Sequence, residues 1–305
     1  MTTPLGLEHL EDRVVPAGNV VASLSGADLF IQGDSADNQI RISQNAAGTV
    51  TVTGLTGTTI NGAASATFAN LSLIKTEVKM EGGNDNVTIN RLTVENDLNV
   101  ETGQGNDLVV LNGDIAGNQI NVWAGVGNDT VRGNATSVIG DLNIDGEQGT
   151  NVVSLSSFTA TGSVSVVTKD GNDRVTGTDV SVGGDLGVET GKGDDVVNLN
   201  TVSIGLGATF NTDEGIDRVT LTNLTTGEDL AISAGSGNDV VTLTDVASSK
   251  SLTVDAGDGN DRVNATNVSA VNDAVFIGGA GIDTLDDNGI SGGSKLDIKE
   301  FELFV

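Results

Sequence analysis

Apolar residues recur along this chain on a fixed ruler of 22 residues. Valine stands at 87, 109, 131, 153, 175, 197, 219, 241 and 263, and Leu285 continues the series. Two residues before each comes an anchor: Asp85, Asp107, Asp129, Asn151, Asp173, Asp195, Asp217, Asp239, Asp261 and Asp283. Ten such turns follow one another with no insertion or deletion. A strict period of this length marks a stack of like units rather than a set of independent elements. With each anchor numbered zero, apolar residues at +2 and +4 alternate with polar neighbours, as in Val87/Ile89, Val197/Leu199 and Val241/Leu243. A further apolar residue stands at +7 (Leu92, Phe158, Val246), and +13/+15 form another pair (Leu98/Val100, Leu142/Ile144, Leu252/Val254). Alternation with a period of two is a strand with one buried face. The pattern predicts an all-β chain. Its fold is a single parallel β-helix, or β-solenoid, with 22 residues and three short strands per coil.

The period also divides the chain. Residues 81–298 are the ten regular coils. Residues 21–80 keep a weaker version: Asp28-Leu29-Phe30-Ile31 matches Asp229-Leu230-Ala231-Ile232, and Asn38, Ile40 and Ile42 repeat the turn and strand. Asn38 precedes Asp85 by 47 residues, two periods plus three, which predicts two or three imperfect coils acting as an N-terminal cap. Residues 299–305 break the pattern, and Phe301, Leu303, Phe304 and Val305 supply an apolar C-terminal cap. Residues 1–20 carry no repeat and form a tail.

Charge and composition narrow the function. Against 14 Lys and Arg stand 42 Asp and Glu, a net charge of −28. Nucleic acid and anionic membrane surfaces are poor partners for such a chain, and cations are natural ones. Apolar residues come in short groups, so no membrane span is expected. Cysteine is absent and the only histidine is His9 in the tail, which removes thiolate and imidazole chemistry from the repeat. The oligomeric state is left open.

The chemistry-bearing stretch is the turn itself. It reads A-G-V-G-N-D-T-V-R from Ala124, A-G-S-G-N-D-V-V-T from Ala234, A-G-D-G-N-D-R-V-N from Ala256 and G-G-A-G-I-D-T-L-D from Gly278. This resembles the nonapeptide G-G-x-G-x-D-x-U-x of hemolysin-type, or RTX-like, calcium-binding proteins. The resemblance implies Ca2+ held between stacked turns. The best-matching positions are Asp239, Asp261 and Asp283 with Gly235, Gly237, Gly257, Gly259, Gly279 and Gly281. Asp107 and Asp129 with Gly103, Gly105, Gly125 and Gly127 follow, then Asp85, Asp173, Asp195 and Asp217. The match departs from that family in having one turn per 22 residues. Glu81, Glu147, Lys169 and Asp213 replace the second glycine of the nonapeptide, and Asn151 replaces an anchor Asp. Bare carboxylates stacked about 4.8 Å apart repel by roughly 0.9 kcal/mol even at the dielectric of water, so the column calls for counterions. The alternative is an Asx-type turn with diffuse monovalent ions. Arg174, Arg218 and Arg262 at +1 either offset the column or lie on a solvated face.

In the tail, residues 7–17 read L-E-H-L-E-D-R-V-V-P-A. They resemble the N-terminal motif of planctomycete extracellular proteins, which implies export and an extracellular or cell-surface location. Together these features predict a secreted or surface-associated acidic structural or adhesive solenoid, with envelope or matrix components as partners. The alternatives are a polysaccharide-acting β-helix lyase or glycoside hydrolase, and an ice-binding solenoid suggested by the T-x-T rungs Thr220/Thr222 and Thr242/Thr244. An enzyme groove needs converging carboxylates walled by long loops, and the ten coils carry no insertion to build one. No enzymatic activity is therefore expected.

Overall fold

A computed structural model describes residues 18–69 and 72–304. Among them there is no helix, and the body strands stack in parallel from coil to coil, with antiparallel pairs confined to the first coil. The valine column pairs in register from coil to coil: Val87 with Val109, Val109 with Val131, and onward by 22 to Val263 with Leu285. Every member is buried, as are the paired residues at +13 and +15 up to Ala274 and Phe276; in the last coil Leu296 is exposed and Ile298 half-buried. The core is thus a set of apolar columns running along the axis, each rung burying its side chains on those above and below.

A representative coil shows how the three strands arise. Val152–Ala160 runs from +1 to +9, and Val164–Val167 covers the third face. The long strand bends at +6, where Ser157 takes φ 49°, and this corner separates its two faces. The corresponding residue has positive φ in all ten coils: Arg91, Gly113, Ala135, Ser157, Asp179, Thr201, Asn223, Asp245, Asn267 and Gly289. Where the +4 column loses its side chain at Gly133, the neighbouring coil fills the space with Leu155 and the ring of Phe158, which lie against the glycine.

The first coil differs from its expected form. Ile40 pairs with Val87 and Leu29 with Thr76, so residues 47 apart lie on adjacent rungs. The interval is one coil carrying an insertion, not two imperfect coils. The extra residues form antiparallel strands, Val50–Gly54 pairing with Gln39–Gln44 on one side and Ser65–Phe68 on the other. The hairpin Gly18–Ser25 and Asp28–Gln32 completes this end. Residues 1–17 of the tail lie outside the described residues, whereas Val20 is already fully buried in the first strand. At the other end Phe301 packs partly buried against the core, and Leu303 and Phe304 pair with Thr284 and Leu285. Val305 lies outside the described residues.

Candidate site: the buried anchor column

Stacking carries all ten anchors into the body of the solenoid, where none is more than 3 % exposed. Each Oδ1 accepts the backbone N–H of the anchor one coil earlier. Asn38 donates to Asp85, Asp85 to Asp107, and so on to Asp261 and Asp283, at 2.6–3.0 Å. The last anchor would lack a partner, but Glu302 supplies one: its Oε2 accepts the Asp283 N–H at 2.7 Å. The column is therefore a continuous ladder in which side chain and backbone tie each coil to the next.

The residue before the anchor forms a second ladder in the opposite sense. Asn106 N–H donates to Asn84 Oδ1, Asn128 to Asn106 and Thr150 to Asn128, and the same bond links Asn260 to Asn238 and Ile282 to Asn260. Asn and Asp are suited to such short side-chain-to-backbone bonds. The glycines of the turn answer to the same stacking. At Gly259 φ is +150°, and an added Cβ would fall on the Gly237 carbonyl oxygen of the preceding coil; at Gly257 it would fall on the Gly235 oxygen. Every element of the G-x-G-N-D turn thus has a coil-to-coil role.

The other carboxylate oxygen is treated differently. Oδ2 of Asp85, Asp107, Asp129, Asp173, Asp195, Asp217, Asp239, Asp261 and Asp283 is buried with no hydrogen-bond partner. Burial raises the carboxyl pKa, to about 7 at Asp85, Asp129, Asp195 and Asp217 and to about 6 at Asp173, Asp239 and Asp261; Asp107 is raised as well. The backbone N–H on Oδ1 works against that rise, and neighbouring acids add to it. The arginines at +1 are exposed, and among the described residues no ion pair joins one of them to the column.

Calcium takes six to eight hard oxygen ligands. Here each anchor Oδ1 accepts an amide N–H and Oδ2 has no hydrogen-bond partner. Carbonyls of the first turn glycine also accept amides: Gly103 from Val126 N–H, Gly235 from Asp258 N–H and Gly257 from Ala280 N–H. Among the described residues no three acidic or histidine side chains converge. The expected ligands Asp239, Asp261 and Asp283, and likewise Asp107 and Asp129, stand one per coil inside the stack rather than around a shared opening at its edge. Set one per coil, with a single unpartnered Oδ2 each, these carboxylates do not by themselves gather the six to eight oxygens that calcium takes.

Elsewhere the surface offers one notable trough, where Glu77, Glu101, Trp123 and Glu147 border the turn glycines Gly103 and Gly125. Its one basic group, Lys79, is paired with Glu77 at 3.0 Å.

No protein-family model matches the chain, and neither does any curated protein or any solved structure. The resemblances of the turn and of residues 7–17 therefore rest on those residues alone.

Proposed function

We propose that this protein is an acidic structural rod, exported and displayed at the cell surface or in the surrounding matrix. One observation carries the reading: the anchors and the valine column of ten coils stack in register, with a local slip confined to residues 113–118, and the residues of the repeated turn are consumed in binding the next coil. A motif spent on self-stacking builds a scaffold. In this reading the anchor column joins coils by hydrogen bonds, and the solenoid folds without calcium. Outward-facing acids keep the rod soluble and present a negative face to cationic or matrix components. The body coils carry no loop that would wall a polysaccharide groove, so the rod has no lyase or hydrolase activity.

Export rests on residues 7–17. Antibodies to the body should label intact cells producing the full chain and lose that labelling when residues 1–17 are deleted. Labelling unchanged by the deletion would refute the export reading. Sustained turnover of acidic polysaccharides by the purified protein would overturn the scaffold reading.

A further inference from the structure

Two members of the anchor column are not acids, and they show what the column requires. Asn151 has the same placement as its neighbours, with Oδ1 accepting the Asp129 N–H at 3.0 Å. That bond fixes which way its amide points. Its Nδ2 then occupies the position that Oδ2 holds in every Asp, and it donates to two main-chain carbonyls, Gly149 at 3.1 Å and Thr168 at 3.4 Å. At the end of the stack Asn38 has no earlier coil to bind and its Oδ1 is unpartnered, but its amide nitrogen faces carbonyls in the same way. Its Nδ2 donates to the carbonyl of Ala36 at 2.6 Å, again the residue two positions earlier, and to Asp34. The space beside these two asparagines is thus lined by acceptors, whereas at Asp107, Asp173, Asp195 and Asp217 the hydroxyls of Thr102, Thr168, Thr190 and Thr212 also bear on the carboxyl and work against its rise in pKa. An amide satisfies such carbonyls with N–H. A carboxylate oxygen facing the same carbonyls would set acceptor against acceptor in a buried site, which is costly.

We propose that the anchor aspartates are carried as neutral carboxylic acids in the folded stack. Each donates an Oδ2–H to the carbonyl that an asparagine at the same position reaches with Nδ2, and the coils loosen when those protons are lost. The column is then a proton-loaded ladder that senses alkalinisation. The charged groups acting on it are themselves acids. Asp107 and Asp37 act on Asp85, Asp37 on Asp107, Asp107 and Glu147 on Asp129, and Asp170 on Asp173. Asp217 and Asp173 act on Asp195, Asp239 and Asp194 on Asp217, Asp261 on Asp239, and Asp283 and Asp258 on Asp261. Asp283 meets Glu302 at the end. The nearby Lys169 is taken up by Asp145 at 2.9 Å, and Lys192 by Glu214 at 2.7 Å. Among the described residues no cation is placed to hold these carboxyls ionised, and the pKa values of about 6 at Asp173, Asp239 and Asp261 and about 7 at Asp85, Asp129, Asp195 and Asp217 agree with protons held at mildly acid pH.

The sign of the pH dependence follows. A carboxyl whose folded pKa lies above its unfolded value of 3.8 binds more protons folded than unfolded. Its contribution is complete below about pH 4 and is lost as the pH rises through about 6 to 7. The test is thermal melting of the full chain between about pH 4 and pH 8, with Asp195→Asn and Asp217→Asn singly and together. Wild-type protein should melt at progressively lower temperature as pH rises. Each Asn variant should melt higher than wild type near the alkaline end and close to wild type near the acid end. The infrared band of protonated carboxylic acids should be present in folded wild type near pH 5 and diminished in the double variant. A melting temperature independent of pH, or Asn variants that melt lower at alkaline pH, would overturn the proposal. So would calcium raising the wild-type melting temperature with the double variant unresponsive, because that outcome requires ionised carboxylates on a metal. If the variants fail to fold, absence of the infrared band in wild type refutes the proposal unaided.

Discussion

The chain contains its own control, because one coil carries Asn151 where the nine other body coils carry Asp within the same frame. Asn151→Asp converts that rung into a tenth acid at constant size. It leaves Oδ1 free to accept the Asp129 N–H but replaces the Nδ2 donor with an oxygen facing the Gly149 and Thr168 carbonyls. The flanking acids show the consequence for ionisation: burial pushes Asp129 to about 7 and Asp173 to about 6, against an ordinary 3.8. A rise of two to three pK units corresponds to about 3–4 kcal/mol between protonation states, expressed only above the folded pKa. Near pH 4 the new acid is neutral and can donate as the amide did, leaving a difference within the ~1 kcal/mol of an ordinary hydrogen bond. With about 2.1 cal/mol/K of unfolding entropy per residue, 1 kcal/mol moves the melting temperature of a chain this long by about 1.6 °C. The variant should therefore melt about 5–6 °C below wild type near pH 8 and within about 2 °C of it near pH 4. Circular dichroism at both pH values measures this. Equal losses at the two values, or a loss confined to acid, would refute the reasoning.

Two further substitutions test the packing. Gly259→Ala places a methyl group on the Gly237 carbonyl at φ +150° and should cost at least the 1–3 kcal/mol of a strained backbone, whereas Gly187→Ala, with open space around its Cβ, should change the melting temperature little; equal effects would contradict the stacking geometry. Phe158→Ala empties the space over Gly133 and should destabilise by about 3–5 kcal/mol in denaturant titration, a value near zero arguing against this core.

The axial columns were legible because a solenoid converts sequence period directly into spatial neighbourhood. Val87 to Leu285 stack as their spacing implies, and the alternation of buried and exposed residues follows. What the period could not tell was which way the anchors face. Gly, Asn and Asp at a turn read equally well as a metal loop or as a self-stacking corner, and only the placement of Oδ1 on the preceding amide separates them. The asparagine ladder beside the anchors escaped notice because residue −1 varies, with Thr150, Asp194, Ile216 and Ile282 among the asparagines. The left-handed corner at +6 did leave a trace, since Gly113, Asp179, Asn223, Asp245, Asn267 and Gly289 are residues that tolerate positive φ. Side-chain amides also stack, Asn112 donating to Asn90 at +5 and a longer ladder running at +14 through Asn99, Asn121 and Asn143. Glu302 sits 19 rather than 22 residues past Asp283, so counting by the period passes over the residue that ends the ladder.

The central claim is that the anchor carboxyls serve coil-to-coil hydrogen bonding as neutral acids. A high-resolution crystal structure grown near pH 5 with calcium in the solution tests it most directly. The account predicts Oδ2 of Asp195, Asp217 and Asp239 within about 2.5–3.0 Å of the carbonyl two residues earlier, with unequal C–O bond lengths in each carboxyl and no ion in the column. An ion between successive anchors, ringed by about six or more oxygens at 2.3–2.6 Å, would contradict it.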